Sequence, residues 1–251
     1  MVPEKISNPI SYRVIIMIIV AVIIIHFIIN YSLDSKERNF MILFITVTNP
    51  LVSGITSVFI GFRYSMTNVF TRAYVSLGIG LICVGIGELL YFFYDNVFGI
   101  NPFPSFADVF FVMFYPFVLT HLIINLKFFK PKYSKKIIVW LTSFPFIYIT
   151  TFSLFYEHTD NLETAITFGY VVPSSICLAL AVVGTNLFRQ GTIGAAWFIL
   201  LIGMISISSA DVWYSYLETS DHYSLEHPVN ILWYAGYWVV TYALIKHKTA
   251  L

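Results

Sequence analysis

Long apolar runs alternate with short polar segments along the whole chain. A spanning helix needs roughly 20 apolar residues, because its backbone polar groups must be satisfied within the segment where no water is available. Eight stretches meet this requirement: residues 13–31, 40–62, 73–95, 106–126, 136–156, 164–187, 193–217 and 228–246. The pattern predicts an all-α integral membrane protein with eight transmembrane helices and a single membrane domain over residues 1–251.

The composition agrees with this pattern. Hydrophobic residues make up 58% of the chain and charged residues 11%, and the mean hydropathy is +0.81. These values exclude an ordinary soluble domain and make the lipid bilayer the first expected partner. Cys83 and Cys177 fall in mid-span, which argues against a disulfide framework and against a cysteine-based metal site.

Motifs of common enzymes and cofactor-binding proteins do not occur in the sequence. It contains no GxSxG elbow, no phosphate-binding glycine loop and no dinucleotide fingerprint. We therefore predict no cofactor, no catalytic residues and no nucleic-acid partner. His158, His222 and His227 lie in acidic outer segments, where a divalent cation or a solvated rim would explain them. No metal-ligand spacing such as HExxH occurs, so no metal site is predicted.

Basic residues are concentrated on one side of the predicted spans. If the N-terminus is inside, the inner segments hold all the lysines and arginines except Lys36 and Arg38, and the outer segments hold most of the acids. By the positive-inside rule, this distribution predicts a multi-pass protein of the cell membrane with both termini cytoplasmic.

The chain also matches itself at an offset of 123 residues. The informative matches are Pro50 with Pro173, Glu88 with Asp211, Tyr91 with Tyr214 and, after one deletion, Asp108 with Asn230. We therefore predict two repeats, residues 1–130 and 131–251, of four spans each. An even number of spans gives both repeats the same orientation, so equivalent residues lie at equal depth around an axis along the membrane normal.

Glu88 and Asp211 are the most informative polar residues, since ionisable groups within spans are costly and usually face the bundle interior. Tyr91 and Tyr214 follow them by three residues, on the same helix face and within hydrogen-bonding range. We interpret this as two acid–tyrosine pairs facing a shared outer-leaflet cavity. The alternatives are acids that join helices by hydrogen bonds, or that reach the interface.

Asp108 and Asn230 stand at the outer ends of spans four and eight. "SFAD" places Ser105 three residues before Asp108, which is the pattern of a capping box. Asn230 follows Pro228, and proline suits the first turn of a helix. We expect both residues to serve the start of a helix and, as candidate ligand-binding residues, to border the outer site.

Pro50 and Pro173 lie in mid-span at equivalent positions of the two repeats. Each is predicted to kink its helix and to free a carbonyl one turn earlier. Such kinks are either architectural or part of a hinge beside the predicted cavity.

The residues around these acids resemble a known family. Glu88-x-x-Tyr91, the stretch from Pro104 and Ser105 through Asp108 to Tyr115-Pro116, and Asp211-x-x-Tyr214 are similar to eight-helix sensor regions of prokaryotic signalling proteins. Those regions precede diguanylate cyclase, phosphodiesterase or histidine kinase domains. The resemblance covers nearly the whole chain and implies a ligand- or membrane-sensing module. Its matching positions are Glu88, Tyr91, Asp108, Asp211 and Asn230.

One departure from that family affects the expected function. The sequence ends at Leu251, a few residues after the last predicted span, without an output domain. We therefore expect a receptor-like module that takes a small molecule or lipid and signals through a partner protein. The alternatives are a proton- or cation-coupled transporter or channel subunit and, less favoured, a membrane enzyme acting on lipid.

Overall fold

The computed structural model describes residues 11–63, 68–128, 134–156, 160–187, 191–219 and 222–250. These residues form eight α-helices: α1 Tyr12–Ser32, α2 Ser35–Arg63, α3 Asn68–Phe92, α4 Phe106–Phe128, α5 Lys135–Phe155, α6 Asn161–Leu187, α7 Gly191–Thr219 and α8 Val229–Ala250. The all-α prediction is confirmed, and each predicted stretch coincides with one helix to within a few residues. His158, one of the three histidines considered above as possible cation ligands, lies outside the described residues.

Membrane-spanning character is shown by seven helices. Within the described residues, α1 to α7 are long and apolar enough to cross a bilayer. Helix α8 has a comparable length of 22 residues. It is less apolar because it carries tyrosines, tryptophans and Asn230 along its length.

Two aspartates set the beginnings of helices that hydropathy alone places later in the chain. The Oδ1 atom of Asp34 accepts hydrogen bonds from the backbone N–H groups of Lys36 and Glu37. Asp160 does the same for Leu162 and Glu163, each at 2.8 Å. The first N–H groups of a helix have no partner within the helix, and such a cap satisfies them. Helices α2 and α6 therefore begin several residues before their apolar stretches.

Six helices form a closed ring. Packing runs from α2 to α3, α4, α6, α7 and α8, and from α8 back to α2, while α1 packs outside against α8 and α5 packs outside against α6. Successive helices are antiparallel: for example, Ser57 in α2 donates a hydrogen bond to the carbonyl of Tyr74 in α3, and Gly54 contacts Gly78. Helices α2 and α8 run parallel, as do α4 and α6.

Glycines allow two of these antiparallel pairs to approach closely. A Cβ atom at Gly78 would lie 2.7 Å from the backbone oxygen of Gly54, and one at Gly203 would lie 3.0 Å from that of Gly236. Small residues permit such close backbone contact between membrane helices, where dispersion contacts drive association. The two crossings bring α2 against α3 and α7 against α8.

The alternation of helix direction separates charge between the two ends of the bundle. One end, which we call the basic end, carries Arg13, Arg63, Arg72, Lys127, Lys135, Lys136 and Lys246. The opposite end, the acidic end, carries Asp34, Glu37, Asp95, Asp160, Glu163, Glu218 and Glu226. Arg38 also lies at the acidic end, where its side chain forms a 2.7 Å ion pair with Glu226.

The close crossing of α2 and α3 generates the first prediction. Gly78→Ala should lower the melting temperature of the detergent-solubilised protein, because the added methyl group would overlap the Gly54 backbone. Overpacking of this kind costs about 1–3 kcal/mol. The matched control is Gly169→Ala, where the new Cβ meets its nearest neighbour at an ordinary 3.6 Å. Equal melting temperatures for the two variants would contradict the close crossing.

Candidate functional site

A cavity of about 390 Å³ lies at the acidic end of the helix ring. All six helices of the ring contribute residues to the lining of this cavity. The segments that follow α3 and α7 contribute further residues. The six predicted ligand-binding residues all line it: Glu88, Tyr91, Asp108, Asp211, Tyr214 and Asn230. The structure therefore places these six residues, which are spread between positions 88 and 230 of the sequence, around one cavity.

Both carboxylate oxygens of Asp211 accept hydrogen bonds from other side chains. Its Oδ2 atom accepts a 2.8 Å hydrogen bond from the hydroxyl of Tyr115, and its Oδ1 atom accepts one of 2.8 Å from the indole N–H of Trp233. These donors belong to α4 and α8, so the carboxylate on α7 joins three helices. Asp211 thus takes the structural role that the sequence left open as an alternative.

Glu88 has a different environment although it is the counterpart of Asp211. Among the described residues, its carboxylate has no hydrogen-bond partner, and it lines the cavity directly. In the repeat alignment Phe111 stands where the second half has Trp233, and a phenylalanine ring has no N–H to donate. The sequence difference therefore accounts for one of the two donors that Asp211 has and Glu88 lacks.

Tyr91 and Tyr214 hydrogen-bond to each other rather than to the acids that precede them. Their hydroxyl oxygens lie 2.6 Å apart, between α3 and α7. Both acids and both tyrosines line one cavity, but among the described residues neither tyrosine is hydrogen-bonded to the acid that precedes it. The bond crosses the helix ring from one tyrosine to its sequence counterpart.

Asp108 forms the predicted capping box and also borders the cavity. Its Oδ2 atom accepts a 2.6 Å bond from the backbone N–H of Ser105, and the Ser105 Oγ atom accepts one from the N–H of Ala107. The remaining oxygen, Oδ1, accepts a 2.6 Å bond from the hydroxyl of Tyr170 on α6. Both carboxylate oxygens are thus occupied within the protein.

Asn230 holds the segment between α7 and α8 in place at the cavity. Its side-chain Nδ2 donates to the carbonyl of Leu225 at 2.8 Å, and its Oδ1 accepts from the hydroxyl of Tyr223 at 3.3 Å. Burial, followed by the nearby charge of Glu88, raises the pKa of Tyr223 above its ordinary value. The Tyr223 hydroxyl therefore keeps its proton and remains a donor.

The two prolines do not line the cavity but lie inside continuous helices, Pro50 in α2 and Pro173 in α6. Pro50 has no N–H with which to bond the carbonyl of Thr46 one turn earlier, and Thr46 does line the cavity. The carbonyl of Thr46, a residue that lines the cavity, therefore lacks its usual helical partner. The predicted kinks and hinge role stay predictions.

The charged side chains in the described lining of the cavity are all acidic, and many other lining side chains are aromatic. Its ionisable acids are Glu88, Asp95, Asp108, Asp211 and Glu218, and no lysine, arginine or histidine of the described chain joins them. Its tyrosines and tryptophan are Tyr91, Tyr115, Tyr170, Tyr214, Tyr223, Tyr237 and Trp233. Within the described ranges, no three histidine, cysteine or acidic side chains are arranged to hold a metal ion. The site is therefore acidic and aromatic.

Several lining residues were not predicted as site residues. Tyr115 and Trp233 carried a usable signal, because both lie at repeat-equivalent positions with an aromatic counterpart. Tyr170 carried no such signal, because the residue 123 positions earlier is Val47, which is not aromatic. Glu218 and Tyr223 lie beyond the predicted stretch 193–217, and their sequence context does not distinguish them from solvated residues.

The bond between Trp233 and Asp211 generates the second prediction. Trp233→Phe should lower the free energy of unfolding by about 1–3 kcal/mol, because one oxygen of a buried carboxylate would lose its donor. Reversible unfolding in mixed micelles provides the measurement. Trp213→Phe is the matched control, since Trp213 lies on the outer surface with 42% of its area exposed. An equal loss in both variants would argue against the bond.

Comparisons of the chain with protein-family models, curated proteins and solved structures found no match. The functional interpretation therefore depends on the residues and geometry of the cavity.

Proposed function

We propose that this protein is a receptor-like membrane module that binds a small molecule in the cavity at its acidic end. The observation that supports the proposal most directly is the convergence of the six predicted residues on one cavity, with the carboxylate of Glu88 open to it. A largely preformed pocket with a few placed polar groups is the usual form of a small-molecule site.

The cavity in this proposal opens to the outside of the cell. The separation of charge between the two ends favours a cytoplasmic basic end, with the N- and C-termini on that side. Helix α8 would be the eighth span, because it packs antiparallel to α7 and contacts it from Val240 at mid-helix to Trp233 near the cavity.

Two parallel repeats of four helices are part of the proposal. The packing of α2 with α3 and of α3 with α4 has its counterpart in α6 with α7 and α7 with α8. Leu51 contacts Gly85 in the first half, and the residues 123 positions later, Ser174 and Ser208, are hydrogen-bonded at 2.7 Å. The Tyr91–Tyr214 bond joins two equivalent residues, as expected at a two-fold axis.

Packing beneath the cavity supports binding rather than conduction. The helix ring closes toward the basic end around side chains with at most 4% of their area exposed, including Leu77, Leu81, Leu122, Ile199 and Leu200. The glycine crossings lie at the same level and bring backbones into contact. A cavity that ends on such a core is suited to holding a ligand.

The resemblance to prokaryotic sensor regions adds a signalling role to the proposal. The five positions that carry the resemblance, Glu88, Tyr91, Asp108, Asp211 and Asn230, all line the cavity. Three of them, Tyr91, Asp108 and Asp211, form hydrogen bonds between different helices. A ligand that changes these bonds would shift helices relative to one another, and a partner protein would receive that shift.

The third prediction tests whether the cavity is a binding site. Thr46→Trp should fill part of the cavity and abolish the thermal stabilisation that a bound small molecule gives the wild-type protein. The measurement is a melting-temperature screen of the purified protein against a metabolite and lipid library. Thr48→Trp is the matched control, since Thr48 lies on the same helix and does not line the cavity.

A compound that stabilises the wild type and the Thr46→Trp variant equally would bind elsewhere. If every stabilising compound behaved in that way, the proposed function would be wrong.

The fourth prediction concerns orientation. A cysteine at Ser224, which lines the cavity at the acidic end, should react with a membrane-impermeant thiol reagent added to intact cells. A cysteine at Ser134, which precedes α5 at the basic end, should react only after permeabilisation. The native Cys83 and Cys177 are buried and give a low background. The reverse pattern of labelling would invert the proposed topology.

A further inference from the structure

The cavity places a carboxylate beside a continuous series of aromatic rings. Phe111 contacts Tyr91 with ring centroids 6.2 Å apart, and Tyr91 is hydrogen-bonded to Tyr214. Tyr214 in turn contacts Tyr223 at 4.8 Å and Trp233 at 5.4 Å. All five rings line the same cavity as Glu88. Aromatic faces carry negative electrostatic potential, so they attract cations in the same way as the carboxylate does.

We propose that the ligand of this cavity is a small organic cation with a quaternary ammonium group. This inference rests on the proposed binding function and specifies its ligand. The five acidic side chains of the lining, without a basic residue among its described members, favour positive charge in the cavity. The cation lies against the ring series, with Glu88 as its counter-ion.

The hydrogen-bonding state of the lining favours a cation without N–H donors. Both carboxylate oxygens of Asp108 and of Asp211 already accept bonds from the protein. The hydroxyls of Tyr91 and Tyr214 bond each other. A primary ammonium group has three N–H donors to satisfy, and at Asp108 and Asp211 it would have to share the carboxylates with the protein donors that already bond them. A quaternary ammonium group requires no acceptor and gains from each aromatic face it contacts.

The same charges distinguish a free cation from a lipid headgroup. A choline headgroup carries a phosphate beside its ammonium group, and that phosphate would enter a space bordered by several carboxylates. Like charges in an environment of low dielectric constant repel strongly. We therefore assign the site to a free small cation.

The experiment uses choline and its neutral isostere 3,3-dimethylbutan-1-ol, which has nearly the same shape without the charge. The full-length protein is purified in a maltoside detergent, so that no choline lipid is present, and binding is measured by isothermal titration calorimetry. Choline should bind with one site per chain, and the isostere at least about tenfold more weakly, since a desolvated cation–π contact and an ion pair are lost. Equal affinities, or no choline binding, would overturn the assignment.

Variants then locate the site. Glu88→Gln should weaken choline binding at least about tenfold, whereas Glu37→Gln, which removes an exposed acid at the same end but outside the cavity, should change it less than about twofold. Equal effects would mean that the charge of the whole acidic end, and not Glu88, attracts the cation. The comparison of choline with its isostere in the wild-type protein remains decisive even if Glu88→Gln does not fold.

Two further outcomes separate this inference from the proposed function. A neutral or anionic compound that stabilises the wild type but not Thr46→Trp would overturn the cation assignment and leave the binding function intact. Binding of short-chain dihexanoylphosphatidylcholine without binding of choline would overturn the assignment to a free cation. Choline binding that Thr46→Trp leaves unchanged would place the cation outside the cavity and would overturn the cation assignment; the proposed function would be wrong as well only if every other stabilising compound also bound the variant equally.

Discussion

A polar group within a bilayer must find its partner inside the protein, because lipid chains neither donate nor accept hydrogen bonds. The helix ring satisfies this constraint repeatedly. Ser53 lies 2.6 Å from Thr241 between α2 and α8, Ser174 bonds Ser208 between α6 and α7, and Ser76 bonds the carbonyl of Phe117 between α3 and α4. Each bond fixes the rotation of one helix against the next. Glu88 departs from this constraint, since its carboxylate lines the cavity and accepts no hydrogen bond from the described part of the chain.

Asp211 and Glu88 differ in the hydrogen bonds that the protein gives them. Trp233 and Tyr115 bind both oxygens of Asp211, and that carboxylate becomes part of the framework. In the first half Phe111 occupies the position of the tryptophan and packs its ring against Gly87 instead, where a Cβ atom would lie 2.8 Å away. A framework with one bonded and one open acid can hold its shape and still offer a charge to a ligand. The proposed role of Glu88 as the counter-ion of a cation follows from this difference.

Parts of the site were predictable because they depend on local spacing. The capping box at Ser105 and Asp108 is a contact between neighbours in the chain, and the pairing of Glu88 with Asp211 came from comparing the two halves of the sequence. The pairing of Tyr91 with Tyr214 was not predicted, although both residues were. Helical spacing shows which residues share a face, but the partner across the ring depends on how far α3 and α7 are rotated and separated. Tyr170, which bonds Asp108 from α6, had no local signal at all.

The sequence by itself determined the helices and their charges, because the backbone of each span must satisfy its own hydrogen bonds and because loops carry most of the charge. It also contained the caps at Asp34 and Asp160, which hydropathy did not reveal and which extend α2 and α6. Only the tertiary structure decided which acid is bonded and which is open. That distinction depends on donors from α4 and α8 that reach a carboxylate on α7. The packing of these helices, with the close glycine contacts between α7 and α8, sets the distances between them.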